Sequence, residues 1–404
     1  MIVAVRPEDL GFDSERLERV ADLCHWYVDE GKLPGTSVIV ARRGEIVFRD
    51  VYGMADIESG RKLEDDTIFR IYSMTKPIAS IALMQLVEKG EVLLHNPVSR
   101  YIPSFAGASV YVSGAPDDYT TEEPSRPVTI HDILTHTSGL STGFQPGTVG
   151  SIYRKAGLGF GFRELNLEEY CDTLASLPLA FHPGTKWLYS AATDVVGRVV
   201  EVVSGRALDV YLEENIFGPL GMTDTAFWVP EDKHDRFAQC YTRENKELKP
   251  FPGSYLKPPK LLSGAGGLVG TIDDYQRFVT ALVRGGELNG KRIIGRKTLD
   301  YMTMNHLPGG VDLQTMGGEG ASETAMPGVG FGLGFGVVID PPANRSLASH
   351  GEYMWGGAAS TTFWVDPLEE VTVVMMTQLF PSGSFPIRPQ LRWVVNAALV
   401  DSAG

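Results

Sequence analysis

The stretch IYSMTKPIASIALMQLVEKG, residues 71–90, decides the reading of this chain. Its Ile, Ala, Leu and Met residues recur at helical spacing, which predicts a helix over 73–89. Pro77 fits the start of that helix, because proline is tolerated in a first turn but not in the interior. Ser73 therefore stands near a helix N-terminus, where free N–H groups and the positive end of the helix dipole favour a developing oxyanion. Residues three apart share a helix face, so the Lys76 ammonium is brought towards the Ser73 hydroxyl. A serine is a poor nucleophile until a neighbouring base takes its proton. A lysine can do so once desolvation has weakened its hold on its own proton. The pattern S-x-x-K is short enough to recur by chance, so its meaning depends on what stands elsewhere in the chain.

Two further stretches supply that context. HPGTKWLYSAATDVVGRVVE (182–201) places Tyr189 at the end of a loop, before a helix predicted from about Ala191. An isolated tyrosine is usually an amphipathic packing residue. Beside a lysine, however, its oxygen can accept the serine proton and pass it to a leaving group. HGEYMWGGA (350–358) precedes the strand-like ASTTFWVD (359–366). Its glycines allow close backbone approach to a ligand, and a strand edge there could aim an N–H at a reacting carbonyl oxygen.

With these three motifs in this order, the sequence resembles the serine β-lactamase/penicillin-binding-protein superfamily on its class C side. It resembles the family VIII carboxylesterases more closely. HDILTHTSGL (131–140), IFGPLGMTDTAF (216–227), SGAGGLVGTIDDY (263–275) and WGGAAS with FWVDP (355–367) extend the resemblance over roughly 15–380. The resemblance implies that Ser73 is the acylated nucleophile and that Lys76 and Tyr189 are its proton-transfer partners. It puts Trp355, Gly356 and Gly357 in the place of the Lys-Thr-Gly strand motif. The oxyanion hole then uses the backbone N–H groups of Ser73 and Ala358.

Two departures bear on the substrate. Class C β-lactamases resemble Tyr-x-Asn at the second motif, whereas this chain has Tyr189-Ser190-Ala191, without the amide. Trp355 stands where a cation would pair with a β-lactam carboxylate. Both changes favour a serine hydrolase of carboxylic esters with short to medium acyl chains. A weak β-lactamase, an acyltransferase or an amide hydrolase would use the same residues. The loops 140–162 and 250–262 are expected to line the acyl pocket with Phe144, Tyr153, Phe160, Phe251 and Tyr255. His350 is a further candidate for the site.

The fold expected is α+β, β-lactamase/transpeptidase-like, with an antiparallel sheet flanked by helices and a mostly helical lobe. Helical patterns cover 14–30, 128–136, 167–176, 191–204, 207–215, 272–285 and 388–401. TSVIVARRGEIVFRDVYG (36–53) reads as a hairpin turning at Arg43-Gly44, and 332–340, 359–366 and 370–378 read as strands. The sheet region is expected to be discontinuous, 1–94 with 262–404, and the helical lobe to be 95–261.

Composition excludes other classes. The 404 residues carry 36 Lys and Arg against 50 Asp and Glu, a net charge of −14. That balance argues against a nucleic-acid surface and against docking on an anionic membrane. No apolar run is long enough to cross a bilayer, and Arg6, Glu8 and Asp9 interrupt the N-terminal apolar stretch too early for a signal peptide, so a cytoplasmic location is expected. Cys24, Cys171 and Cys240 are odd in number and far apart, which predicts reduced thiols. The chemistry needs no cofactor or metal, and His131 and His136 lack zinc spacing. The partner expected is a small-molecule ester, with the oligomeric state open. Gly139-Leu140-Ser141-Thr142-Gly143 matches G-x-S-x-G but lacks the strand–turn–helix setting of a nucleophile elbow. Gly285–Lys291 resembles a phosphate loop but is followed by Arg292 where Ser or Thr is required, so Asn289-Gly290 reads as a turn.

Overall fold

The computed structural model describes residues 5–159, 164–253, 255–317 and 326–402. Helix α1 (Ser14–Asp29) starts where the Asp13 side chain accepts the Arg16 N–H, and it buries Leu17, Val20, Cys24 and Tyr27 along one stripe. Strands β1 (Gly35–Arg42) and β2 (Glu45–Asp56) form the predicted hairpin. Arg43 and Gly44 both take positive φ, 55° and 81°, the backbone that lets a tight turn follow the twist of its strands. The edge strand β3 (Arg61–Lys62) completes the N-terminal contribution to the sheet.

The remaining strands come from the far end of the chain: β4 (Val329–Phe331), β5 (Gly336–Val338), β6 (Tyr353–Gly356), β7 (Thr362–Asp366) and β8 (Val371–Met376). The sheet is antiparallel, in the order β4-β5-β6-β7-β8-β1-β2-β3. The seam between the two ends of the chain pairs Ser37 with Met376 and Val40 with Val373. Every residue of β1 and β8 is buried, so both faces of the sheet are covered. Consecutive side chains on a strand point to opposite faces. Phe363 meets Tyr275 of the helix Ile272–Val283, while Trp364 lies under Arg392 of the helix Ile387–Ala398. Those two helices therefore sit on opposite faces, and α1 packs against the second of them.

Between β3 and β4 the chain makes the helices that carry the site. Helix α2 (Thr75–Glu88) is buried all round from Thr75 to Leu86, as expected of a helix without a polar face. It packs beside α3 (Ala192–Ser204). We number the two sheet-covering helices α4 (Ile272–Val283) and α5 (Ile387–Ala398). The segment 95–261 holds α3 and several shorter helices joined by long loops, with two hairpins, Val110–Ala115 with Asp118–Glu122 and Tyr241–Glu244 with Glu247–Pro250.

One strand expectation is corrected. The run 332–340 is not one strand, because Gly332–Phe335 breaks away between β4 and β5. A side chain at Gly332 would lie 2.1 Å from the Met302 carbonyl oxygen, and Gly334, at φ 96°, would meet Ser80 Oγ at 2.3 Å. The backbone has come down onto α2 and the end of the helix Arg296–Met302, which only glycine permits. The third motif carries a strand edge, as expected: residues 353–356 pair with β7, and Tyr353 and Met354 pair with β5 as well.

Among the described residues no helix is long and apolar enough to cross a membrane, and no three His, Cys, Asp or Glu side chains gather as metal ligands. The three cysteines are buried and unpaired with one another.

Candidate active site

Ser73 lies in a single 3-10 turn, Tyr72–Met74, that runs directly into α2. A short ladder sets this turn: Ile68–Arg70 pairs with Val269–Thr271, and the Ile71 N–H donates to the Leu268 carbonyl. Tyr72 is held at φ 43°, a conformation that non-glycine residues rarely adopt. The Tyr275 hydroxyl donates to the Met74 carbonyl at 3.0 Å, and the Leu268 N–H donates to Thr75 Oγ1 at 3.2 Å. The strained turn is thus pinned from both flanks.

The three residues singled out by sequence meet here. Lys76 Nζ is 3.3 Å from Ser73 Oγ, and the Tyr189 hydroxyl is 2.6 Å from the same oxygen. Lys76 also lies 4.4 Å from the centre of the Tyr189 ring, within cation–π distance. The ammonium is almost wholly buried and donates to the Ala265 carbonyl at 2.6 Å. That carbonyl is placed by Asp194 of α3, whose Oδ1 accepts the Ala265 N–H at 3.0 Å and the Ser263 hydroxyl at 2.6 Å. Asp194, Ser263 and Ala265 escaped the sequence reading as site residues. Their stretches were quoted, but nothing in one sequence says that residues about seventy positions apart hold a lysine in common.

Tyr189 is held by its neighbours as well. Its ring lies 5.6 Å from that of Trp355, 6.2 Å from that of Trp187 and 5.1 Å from that of His136. Gln145 Nε2 donates to its carbonyl at 2.8 Å. His136 caps the helix Ile130–Thr135 from a left-handed conformation, φ 58°, and its Nδ1 lies 3.1 Å from Ser190 Oγ. Complete burial, reinforced by the nearby Lys76 charge, holds His136 well below the usual histidine range. It is a neutral packing and hydrogen-bonding residue. Ser190, in the position after Tyr189, faces His136.

On the other side of Ser73 stands the end of β6. Trp355 is buried and packs edge-on against Phe331, 5.3 Å between centroids, so it closes the site with an apolar wall. Gly357 faces the turn that carries Ser73: a Cβ there would lie 2.4 Å from the Ile71 carbonyl oxygen and 2.2 Å from Thr361 Oγ1. The next residue, Ala358, accepts from the Ser382 N–H, while its own N–H has no acceptor among the described residues. Tyr72, Cys240, Ala358, Ala359, Phe251 and Phe380 pack together beside it. Phe251 stacks on Phe380 at 4.4 Å. A cavity of about 290 Å³ is lined by Ser141, Gln145, Val149, Ala180 and Leu188.

The other anticipated lining residues differ in placement. His350 is exposed in the turn before β6, at the opposite end of that strand from Ala358. A strand advances about 3.3 Å per residue, so His350 is far from Ser73. Tyr153 is fully buried, with its hydroxyl donating to the Pro178 carbonyl at 3.3 Å, and so packs the helical region. Phe144 is half exposed on a loop. Tyr255 lies edge-on to Tyr72, and Phe160 falls outside the described residues. Ser141 is buried, with its hydroxyl turned to the Thr142 carbonyl, and no strand leads into it. Asn289-Gly290 is a two-residue hairpin turn with positive φ at both positions, so no phosphate loop forms.

A serine flanked by lysine and tyrosine, at the head of a buried helix beside an antiparallel sheet, defines a serine acyl-transfer enzyme of β-lactamase and penicillin-binding-protein architecture. The Beta-lactamase family profile matches residues 20–397, and the chain belongs to that family. It is 34% identical over 405 residues to Esterase EstB of Burkholderia gladioli, covering 95% of each chain. Among solved structures, EstCE1, described as a hydrolase with promiscuous acyltransferase activity, superposes with a TM-score of 0.81 at 28% identity over 95% of this chain and 99% of that one. Simvastatin synthase (LovD) of Aspergillus terreus shares the fold at a TM-score of 0.78 and 21% identity, covering 95% of this chain and 98% of that one.

Proposed function

We propose that the chain is a carboxylesterase in which Ser73 forms the acyl-enzyme. The observation that carries this reading is the 2.6 Å contact between the Tyr189 hydroxyl and Ser73 Oγ, with the buried Lys76 ammonium on both. Tyr189, with Lys76 beside it, takes the Ser73 proton as Oγ attacks the ester carbonyl. The tetrahedral oxyanion is received by the N–H groups of Ser73 and Ala358. Tyr189 returns the proton to the departing alcohol. Water, deprotonated by the same group, then releases the acid. The similarity to Esterase EstB and to the EstCE1 hydrolase supports this chemistry. The apolar wall of Trp355, Phe251 and Phe380 suits an uncharged acyl or alcohol group better than a carboxylate-bearing one.

Labelling with an alkyl fluorophosphonate, followed by peptide mass spectrometry, tests the assignment. The adduct is expected on the Ser73 peptide, with turnover of p-nitrophenyl butyrate lost in Ser73→Ala and retained in Ser141→Ala. An adduct elsewhere with Ser73 unmodified refutes it.

A second reading, acyl transfer to an alcohol in place of water, is favoured by two relatives. EstCE1 is described with promiscuous acyltransferase activity, and Acyltransferase calJ of Penicillium decumbens is 27% identical over 373 residues. Product analysis with a competing alcohol separates transfer from hydrolysis, since both begin from one acyl-enzyme.

A further inference from the structure

The peptide unit that ends in the Ala358 N–H begins at the Gly357 carbonyl, and that carbonyl is unusually well served. The Ser360 N–H donates to it at 3.1 Å across a tight turn, and Arg388 Nη2 donates to it at 2.6 Å. The same guanidinium nitrogen donates to the Thr361 carbonyl at 2.8 Å, which also accepts the Gly357 N–H at 2.9 Å. One cation thus bridges the two chain segments that frame the end of β6.

Arg388 also explains a glycine. A Cβ on Gly356 would come within 2.8 Å of Arg388 Cζ and 2.9 Å of Nη2, so the guanidinium lies directly on the backbone of the strand. The two glycines of Trp355-Gly356-Gly357 therefore have separate reasons. Gly356 makes room for Arg388, and Gly357 makes room for the Ile71 carbonyl beside the nucleophile. Arg388 is the second residue of α5, where a positive charge opposes the helix dipole. Helix stability does not account for an arginine there, whereas its contact with the sheet does.

We propose that Arg388 is a positioning residue for ester hydrolysis, which holds and polarises the Gly357–Ala358 peptide so that the Ala358 N–H is a stronger oxyanion donor. A cation hydrogen-bonded to a peptide oxygen draws electron density towards that oxygen and leaves the N–H of the same unit more positive. The charge acts one peptide away from the reacting atom, and its geometry is fixed before substrate arrives. Stabilisation of that kind counts most when charge develops in the transition state, so it belongs in kcat and not in ground-state binding. Arg388 itself touches neither substrate nor Ser73 in this account. The proposal rests on Ser73 being the acylated residue.

The test uses the full-length protein and its Arg388→Met and Arg388→Lys variants. Fluorophosphonate titration, with the label mapped to the Ser73 peptide, counts functional sites, so that kcat is expressed per labelled site. Removing a complete oxyanion donor costs about 100- to 1,000-fold in kcat, and weakening one should cost about tenfold. Arg388→Met should lose about tenfold in kcat per site with KM changed by less than about twofold. Arg388→Lys, which keeps the charge but not the two-carbonyl reach, should fall between. Infrared difference spectra of an acyl-enzyme carrying a 13C-labelled carbonyl give a second readout. The acyl carbonyl stretch should rise in Arg388→Met, because a weaker donor polarises it less. If Arg388→Met folds poorly, Gly356→Ala, which pushes the guanidinium off the carbonyl, should give the same kcat loss and the same spectral shift. Unchanged kcat per site and an unchanged stretch in these variants, even with a lower melting temperature, overturn the proposal and leave Arg388 a purely structural tie. Absence of label from Ser73 in the unmodified protein instead refutes the nucleophile assignment itself.

Discussion

Gly357→Ala isolates the oxyanion geometry. The substitution adds one methyl group at a place where a Cβ would lie 2.4 Å from the Ile71 carbonyl oxygen and 2.2 Å from Thr361 Oγ1. An ordinary carbon–oxygen contact is about 3.3 Å or more, so one side must give by roughly 0.9 Å. Ile71 is two residues before Ser73 and is tied to Leu268. Gly357 immediately precedes Ala358, which is tied to Ser382. Whichever side yields, Ser73 and the Ala358 N–H separate. A misplacement of about 1 Å in a catalytic constellation costs about 100-fold, and loss of one oxyanion donor costs about 3–4 kcal/mol. We expect kcat on p-nitrophenyl butyrate to fall about 100-fold or more, with KM little changed. A Gly357→Ala, Thr361→Ala double variant serves as the control. It removes the Thr361 Oγ1 clash and keeps the Ile71 one, so the defect should persist. A Gly357→Ala enzyme within about twofold of the parent kcat refutes the placement of the oxyanion donor at Ala358. Full recovery in the double variant would instead assign the effect to crowding around Thr361.

The remaining predictions touch other parts of the site and its support. Tyr189→Phe removes the hydroxyl 2.6 Å from Ser73 but keeps the ring contacts with Trp355 and Trp187, so kcat should fall by about 100- to 10,000-fold at nearly constant melting temperature; retained activity would shift the proton transfer to Lys76 alone. Asp194→Ala removes two hydrogen bonds that place Ala265, and hence Lys76, so unfolding in urea should show a loss of about 2–4 kcal/mol together with reduced kcat. Glu352 is wholly buried. Burial pushes its carboxyl from the ordinary 4.5 up to about 7, Arg392 at 3.0 Å draws it back down, and Asp366 adds to the rise. The folded state then holds this proton more tightly than the unfolded one. The contribution of Glu352 to stability is best below about pH 4.5, falls as pH rises towards 7, and is flat above, a span worth about 3 kcal/mol. Glu352→Gln should therefore gain stability relative to the parent between pH 5 and pH 8 in urea titrations, and parallel curves for the two proteins would refute the account.

Reading the sequence located what local chemistry dictates. The hairpin at Arg43-Gly44 is legible because its turn needs positive φ at adjacent positions. The start of α2 is legible because Pro77 is tolerated only in a first turn. The strand β6 is legible through the resemblance of Trp355-Gly356-Gly357 to a strand motif, because four residues with two adjacent glycines leave no alternation to detect. The break at Gly332–Phe335 was invisible because its cause is Met302 and Ser80, which no local pattern connects to it. His350 and Tyr153 were placed near the site by proximity in sequence to motifs. One is carried away along an extended strand, and the other is turned into the core.

By itself, then, the sequence singled out Ser73, Lys76 and Tyr189, and the family its motifs resemble supplied the chemistry proposed for them. A four-residue helical spacing and the choice of side chains are local properties. Only the tertiary structure decided which groups hold those three in place. Asp194 reaches Lys76 through Ala265, Trp355 backs Tyr189, and Arg388 grips the peptide of Ala358 from the last helix. These contacts join segments separated by tens to hundreds of residues. Their partners are selected by the register of the sheet and the packing of α2 against α3, which no short window of sequence encodes.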